Sequence, residues 1–246
     1  MKNILVIGAT SAIAQAFIER MAVGNNKLFL VARDKEKLGA IKNDIRVRNN
    51  TNLTTFVLDV NHRVDYDNMF AAAKSYLGKI DIILMAHGTL PDQSECETNI
   101  DKAIFELEIN ALSTIALCLQ AAKIFEIQSD GLLAVITSVA GDRGRQSNYV
   151  YGSAKGAVGI FLQGLRNRLT KCGVSVLTVK PGFVDTPMTA HIPKTPLFSS
   201  PETVANGIVK AINKNKSKEI YLPGYWRLIM LIIKSIPGKI FNKLSL

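Results

Sequence analysis

Tyr151 and Lys155 stand four residues apart in Tyr-Gly-Ser-Ala-Lys, one helical turn, so a phenol and an ammonium share one helix face. A nearby cation favours the phenolate and lowers a phenol pKa that starts near ~10. Such a tyrosine can give a proton to a carbonyl oxygen or take one from an alcohol. Ser138 ends the apolar run Leu132-Leu133-Ala134-Val135-Ile136-Thr137, which reads as a buried strand. Its hydroxyl then falls at a strand's carboxyl end, where open α/β sheets bind ligands. Gly152, Ser153 and Ala154 are small, as expected if a ligand lies against that turn. Near the start of the chain, Gly8-Ala9-Thr10-Ser11-Ala12-Ile13-Ala14 joins an apolar run to a helical pattern. A loop entering a helix amino terminus offers backbone N–H groups and the positive end of the helix dipole to a phosphate. Together these residues predict hydride exchange between a nicotinamide dinucleotide and a carbonyl or alcohol.

The elements that must position them alternate along the chain. Strands are expected at about 3–7, 27–32, 54–58, 80–85, 131–137, 174–179 and 218–222. Helices are expected between them at about 12–23, 34–48, 63–76, 99–127, 149–171 and 201–213. Near-continuous apolar strands alternating with helices mean a parallel sheet covered on both faces. Right-handed crossovers then give one α/β domain, a Rossmann-like doubly wound sheet of about seven strands over residues 1–222. Residues 223–246 follow as a basic, apolar tail.

Size and composition agree with one globular domain. The chain has 246 residues, 48% hydrophobic and 20% charged. Three cysteines without metal or disulfide spacing fit a reducing cytoplasm, and no histidine, cysteine and carboxylate cluster suggests a metal. The opening apolar run is too short for a signal peptide. The net charge of +10 is uneven: from Gly207 onward eight basic residues face only Glu219.

The Gly8 loop resembles that of the short-chain dehydrogenase/reductase family, usually Gly-x-x-x-Gly-x-Gly, with Ala12 and Ala14 standing for the later glycines. The resemblance runs from residue 1 to about 222. It implies catalytic roles for Ser138, Tyr151, Lys155 and Asn110, the last holding a water that links the lysine to solvent. Asn110 lies inside an apolar helical stretch, where asparagine is a mediocre helix former. For the cofactor the resemblance implies Gly8, Thr10, Ser11, Ala12 and Ile13 at the phosphates. Asp59 and Val60 fall at the adenine, with a helix N-cap as the other reading of Asp59. Met85-Ala86-His87-Gly88 stands where the family has Asn-Asn-Ala-Gly, keeping only the glycine, and puts Ala86, His87 and Gly88 beside the nicotinamide ribose; a space-filling loop residue is the other reading of His87. Pro181, Gly182, Val184 and Thr186 match the family's Pro-Gly-x-Val-x-Thr, which fixes the carboxamide. Arg33 ends the second strand where an acid would accept the NAD ribose hydroxyl. An arginine there suits the 2′-phosphate of NADP, so NADPH is expected over NADH, with a solvated arginine as the alternative. Asp34 reads as a late acid or as a helix N-cap.

The loop after Gly182 is short and stiffened by Pro187, Pro193 and Pro196, leaving room for a substrate that extends outward. In the tail, Tyr225-Trp226-Arg227 opens a short apolar run that ends at Lys234. It is too short to span a bilayer and carries the aromatic and basic flanks of an interfacial helix. A peripheral contact with the inner membrane face is one reading. Packing on a neighbouring subunit of a homodimer or homotetramer is the other. The stretch 137–155, continuing through 181–190, is similar to decaprenylphosphoryl keto-pentose reductases. That implies a keto-sugar on a polyprenyl phosphate, with Arg143 and Arg145 pairing to the lipid phosphate. A soluble ketone, acyl or steroid substrate remains open, as does a non-catalytic NADP-binding sensor. A nucleic-acid partner is not expected, because the charge sits on an apolar tail without a stacking platform.

Overall fold

The computed structural model describes residues 1–49 and 51–244. Seven parallel strands form one sheet: β1 Asn3–Ile7, β2 Lys27–Ala32, β3 Asn52–Val57, β4 Ile82–Met85, β5 Leu132–Ile136, β6 Ser175–Pro181 and β7 Glu219–Leu222. Their spatial order is β3-β2-β1-β4-β5-β6-β7. The order reverses between β1 and β4, and the crevice outside the strand ends at such a reversal is where ligands bind. The expected Rossmann-like sheet is what the chain forms.

The pleat sends alternate strand residues to two cores. Ile4 and Val6 of β1 face one side, packed under α1 Ala12–Met21, α2 Lys35–Asn49 and, later in the chain, the helix Pro201–Asn213. Leu5 and Ile7 face the other, under α3 Tyr66–Leu77 and the two long helices near the middle of the chain. With both faces covered, the strands need no polar positions, which explains their apolar runs.

The helical stretch expected over 99–127 is broken. After a short helix outside the expected set, α4 Gln93–Thr98, it forms α5 Ile100–Leu107, a π-helical turn Glu108–Leu112 and α6 Ser113–Gln128. Asp92 caps α4 by accepting from Ser94 N and Glu95 N, a polar, local start that carries no apolar period. Then come α7 Tyr149–Thr170, α8 Pro201–Asn213, α9 Trp226–Ser235 and α10 Gly238–Phe241. The segment from 223 lies against the body. Trp226 and Met230 of α9 are 2% and 1% exposed, packed with Val139, Phe183 and Tyr221.

Candidate active site

The catalytic candidates come from three elements that end at the same edge of the sheet. Ser138 follows β5, and Tyr151 and Lys155 occupy the first two turns of α7. Gln93 of α4 fixes the start of α7 by accepting from Val150 N at 3.1 Å. Between Ser138 and α7 runs a single 3-10 turn, Val139–Asp142, held tightly against the helix. A Cβ on Gly141 would lie 2.6 Å from Gly156 N, and one on Gly152 would lie 2.9 Å from Ala140 O. Gly152 therefore answers to the serine turn, packing on that backbone, while Ser153 is exposed, and neither lines the pocket that Tyr151 and Lys155 line.

Lys155 is 5% exposed, with Nζ 5.6 Å from the Tyr151 ring centroid. Burial pulls its pKa down to about 8. Burial also pushes the Tyr151 phenol up to about 12, opposed by a hydrogen bond with Ser138. The expected lowering of Tyr151 by its cation is not seen, because desolvation of the phenolate outweighs the Ser138 hydrogen bond that opposes it. At neutral pH the hydroxyl keeps its proton, the state needed to donate to a carbonyl.

Asn110 sits in the π turn and is fully buried. Its Oδ1 accepts from Thr89 N at 3.1 Å, and its Nδ2 donates to Thr89 Oγ1 at 3.0 Å and Glu106 Oε2 at 3.2 Å. A Cβ on Gly88 would lie 2.8 Å from Asn110 Oδ1 and 3.1 Å from Lys155 Nζ, so the asparagine and the lysine converge there. A π turn inserts one residue and re-aims the side chains, and such turns recur at functional sites.

Two cavities of about 150 Å³ each lie side by side along this edge. Ser138, Tyr151, Lys155 and Asn110 line the first, with Ile13, Pro181, Gly182, Val184 and Thr186. Gly8, Thr10, Arg33, Asp59 and Val60 line the second. Ser11, Ala86, His87 and Gly88 belong to both, which makes them one groove across the β1/β4 reversal. Ala12 starts α1 but lines neither cavity. Leu58 and Ile109 wall the second cavity without any motif to announce them.

The groove suits a dinucleotide. Gly8 has φ +87, and a Cβ there would strike the His87 backbone. Ser11 caps α1 by accepting from Ala14 N at 3.2 Å, which leaves the first N–H groups of the helix toward the groove. Arg33 is exposed at the far cavity, while Asp34 is turned away to cap α2, accepting from Lys37 N at 3.0 Å. Asp59 caps a turn, accepting from Asn61 N at 3.0 Å, and starts no helix. His87 Nε2 lies 3.1 Å from both Ser113 Oγ and Thr114 Oγ1. Burial, and then the Lys155 charge, pull its pKa down to about 3, so the ring is neutral.

Arg143 and Arg145 part company. Arg143 donates to the Ile233 carbonyl and, at 2.7 Å, to Ile236 O, and it stacks 3.7 Å over Phe241. Its Nη1 is committed to the end of α9. Lys180 ties the same turn to the sheet by pairing with Asp142 at 2.5 Å and Glu219 at 2.9 Å.

A family model described as short chain dehydrogenase matches residues 2–197. The chain belongs to that family, and it is an oxidoreductase acting on CH–OH groups with a nicotinamide cofactor. An uncharacterized oxidoreductase of Mycobacterium tuberculosis is 28% identical over 241 residues, 98% of this chain and 96% of the relative. Another, from Streptomyces coelicolor, is 29% identical over 248 residues, 99% and 96% of the two chains. Among solved structures, an actinorhodin polyketide ketoreductase variant with NADPH superposes with a TM-score of 0.80 over 91% of this chain and 97% of its own. At 20% identity it shares the fold.

Proposed function

We propose that this enzyme works as an NADPH-dependent ketone reductase whose substrate is a keto-sugar on a polyprenyl phosphate carrier. The observation that carries the reading is the meeting of Ser138, a protonated Tyr151, Lys155 and Asn110 in one pocket of the dinucleotide groove. In this reading Gly8, Thr10, Ser11 and Ile13 hold the pyrophosphate, and Arg33 meets the 2′-phosphate. Asp59 and Val60 face the adenine, while Ala86, His87 and Gly88 flank the ribose. Pro181, Gly182, Val184 and Thr186 fix the carboxamide. Bound NADPH supplies the hydride that the carbonyl carbon gains.

The protein handles the proton. Ser138 Oγ orients the carbonyl oxygen, and Tyr151 Oη gives its proton to that oxygen. The Lys155 ammonium stabilises the phenolate left behind. Asn110 fixes the Thr89 turn beside Lys155, where a water can return a proton from solvent.

The lipid carrier is supported by the shape of α9. Its outward face exposes Leu228, Leu231 and Ile232, with Arg227 and Lys234 at its ends. Apolar side chains flanked by cations suit the inner surface of an anionic membrane, for an otherwise cytoplasmic enzyme. Exposed Ile104, Phe105, Leu112 and Leu119, on α5, the π turn and α6, support self-association as a homodimer or homotetramer.

The test is NADPH oxidation against a ketone panel that includes prenyl-phosphate keto-sugars, with and without anionic vesicles. Prenyl-linked ketones should react best, with vesicles helping at low salt. Tyr151→Phe should still bind NADPH and lose turnover by roughly 10²-fold or more. Turnover in Tyr151→Phe equal to wild type would sink the mechanism. A panel in which only unlinked ketones react would sink the carrier.

A further inference from the structure

The catalytic pocket opens into a larger space. A third cavity, of about 560 Å³, lies beside it. Leu90, Arg145, Asn148, Phe183 and Ile192 line both, so the two meet at these residues. Beyond the junction the lining combines the inward side of α9, Trp226, Ile229 and Ile233, with polar residues that include Asp92 and His191. The volume is within the range of about 300–1,000 Å³ that holds small-molecule ligands.

The position of α9 is built in. A Cβ on Gly182 would overlap the Trp226 indole, so the ring lies flat against the segment that leaves β6. Phe183 meets Trp226 edge-on with centroids 5.6 Å apart. Arg143 holds the far end of the helix through the Ile236 carbonyl at 2.7 Å. The cavity wall is thereby fixed to the serine turn that carries Ser138.

The junction carries an unbalanced charge. Arg145 Nη2 meets only the Met230 sulfur, at 3.3 Å, and its Nε is buried without a partner. Among the described residues no carboxylate pairs with it. The neighbouring Asp142 is engaged by Lys180 at 2.5 Å and by the Tyr221 hydroxyl at 2.7 Å. A part-buried guanidinium without a carboxylate is complementary to an incoming oxyanion, whose geometry its planar fork matches.

We propose that this outer cavity binds the non-reacting part of the substrate. An apolar chain lies along Trp226, Ile229 and Ile233, and an oxyanion pairs with Arg145 between that chain and the reacting carbonyl. The assignment rests on the reading of the inner pocket as the ketone site, and it adds where the rest of the molecule goes. It also gives α9 two apolar sides with different tasks, the inner for the chain and the outer for a surface.

Trp226 is the only tryptophan of the chain, so its fluorescence reports on this cavity. The probe is ω-bromodecyl phosphate, kept monomeric, whose bromine quenches an indole on contact. Arms with ω-bromodecanol, ω-bromodecanoate and inorganic phosphate separate chain from anion and phosphate from carboxylate. Expected is saturable quenching by the two anionic chains, about tenfold weaker for the alcohol and none for inorganic phosphate. Ile229→Asp should weaken the anionic probes at least tenfold, whereas Leu231→Asp on the outward face should not. Arg145→Gln should bring the anionic probes down to the alcohol. Each variant is checked for folding by NADPH binding. Quenching that never saturates, that Ile229→Asp leaves intact, or that favours the alcohol overturns the proposal. Because binding is read without turnover, an inactive ketone panel with normal quenching would fault the ketone reading alone.

Discussion

Along the same edge of the sheet, the nucleotide half of the groove and the carbonyl half are held in place by different means. Around β1 and β2 the work is mostly local: Ser11 caps α1 three residues on and Asp34 caps α2, although Gly8 also lies against the His87 backbone. Around β5 to β7 it is distant. Gly141 lies against Gly156, Lys180 pairs with Asp142 and Glu219, and Arg143 reaches the carbonyl of Ile236. A local device tolerates change elsewhere in the chain. A distant one couples the serine, the tyrosine helix and the C-terminal helix, so that moving one disturbs the others.

The largest effect should follow from prying the distant contacts apart. A methyl on Gly141 would meet the α7 backbone, which is not the movable end of a side chain, so the serine turn must shift. Overpacking of this kind costs about 1–3 kcal/mol. A displacement near 1 Å at a catalytic group costs on the order of 10²-fold in rate. Gly141→Ala is therefore expected to lose about 10²-fold in kcat with a lowered melting temperature. Gly164→Ala, on the same helix with nothing near its added carbon, should keep its activity and be no less stable. Equal behaviour of the two variants, by thermal melts and steady-state rates, would show that the turn does not position Ser138.

Next in size is a pH effect that belongs to the carbonyl half alone. Lys155, buried beside Tyr151, titrates near about 8, below the ordinary lysine value. Its charge is present below that pH and is lost above it. The charge stabilises the phenolate formed as Tyr151 donates, so ketone reduction should fall as pH rises through about 8, approaching tenfold per unit. Lys155→Met should be slow at every pH in this range and lack that limb. A wild-type kcat/KM that rises between about pH 7 and 9, at saturating NADPH, would contradict this role.

The same contrast explains what the sequence discloses. The strands, the Gly8 loop and the Tyr151/Lys155 spacing are periodic or contiguous, and the folded chain repeats them with shifts of a residue or two. Asn110 stands out as a poor helix former in an apolar stretch, and the π turn is the physical answer, though its five residues have no period of their own. Gly152 was open to misreading. Smallness is visible in the sequence, but whether the space above it is taken by a ligand or by the Ala140 backbone depends on a neighbour twelve residues away. For Arg143 and Arg145 the difficulty is greater. Two places apart in one basic stretch, they diverge because one meets helix-end carbonyls and the other a cavity. The family match ends at residue 197, before the helix that makes this difference.

The smallest effect should come from the nucleotide half, because its cationic contact, Arg33, is exposed. Arg33 lines the outer end of the groove in contact with solvent, where an ion pair is screened and contributes modestly. Asp34, the adjacent acid that could have served a ribose hydroxyl, is occupied by Lys37, whose N–H it accepts at 3.0 Å and whose Nζ lies at 3.3 Å. NADPH should then bind more tightly than NADH by about tenfold, roughly the 1.4 kcal/mol that one charge-assisted contact supplies. Arg33→Asp should level or reverse that preference, since a carboxylate repels the 2′-phosphate, while turnover at saturating cofactor stays near wild type. The coupling of the carbonyl half makes the second expectation as informative as the first. A change here should travel no further than the nucleotide, so titrating both cofactors against both proteins and measuring kcat separates the two. Equal affinities in the wild type would retire the NADP preference, and a fall in kcat at saturation would mean that the halves are not independent.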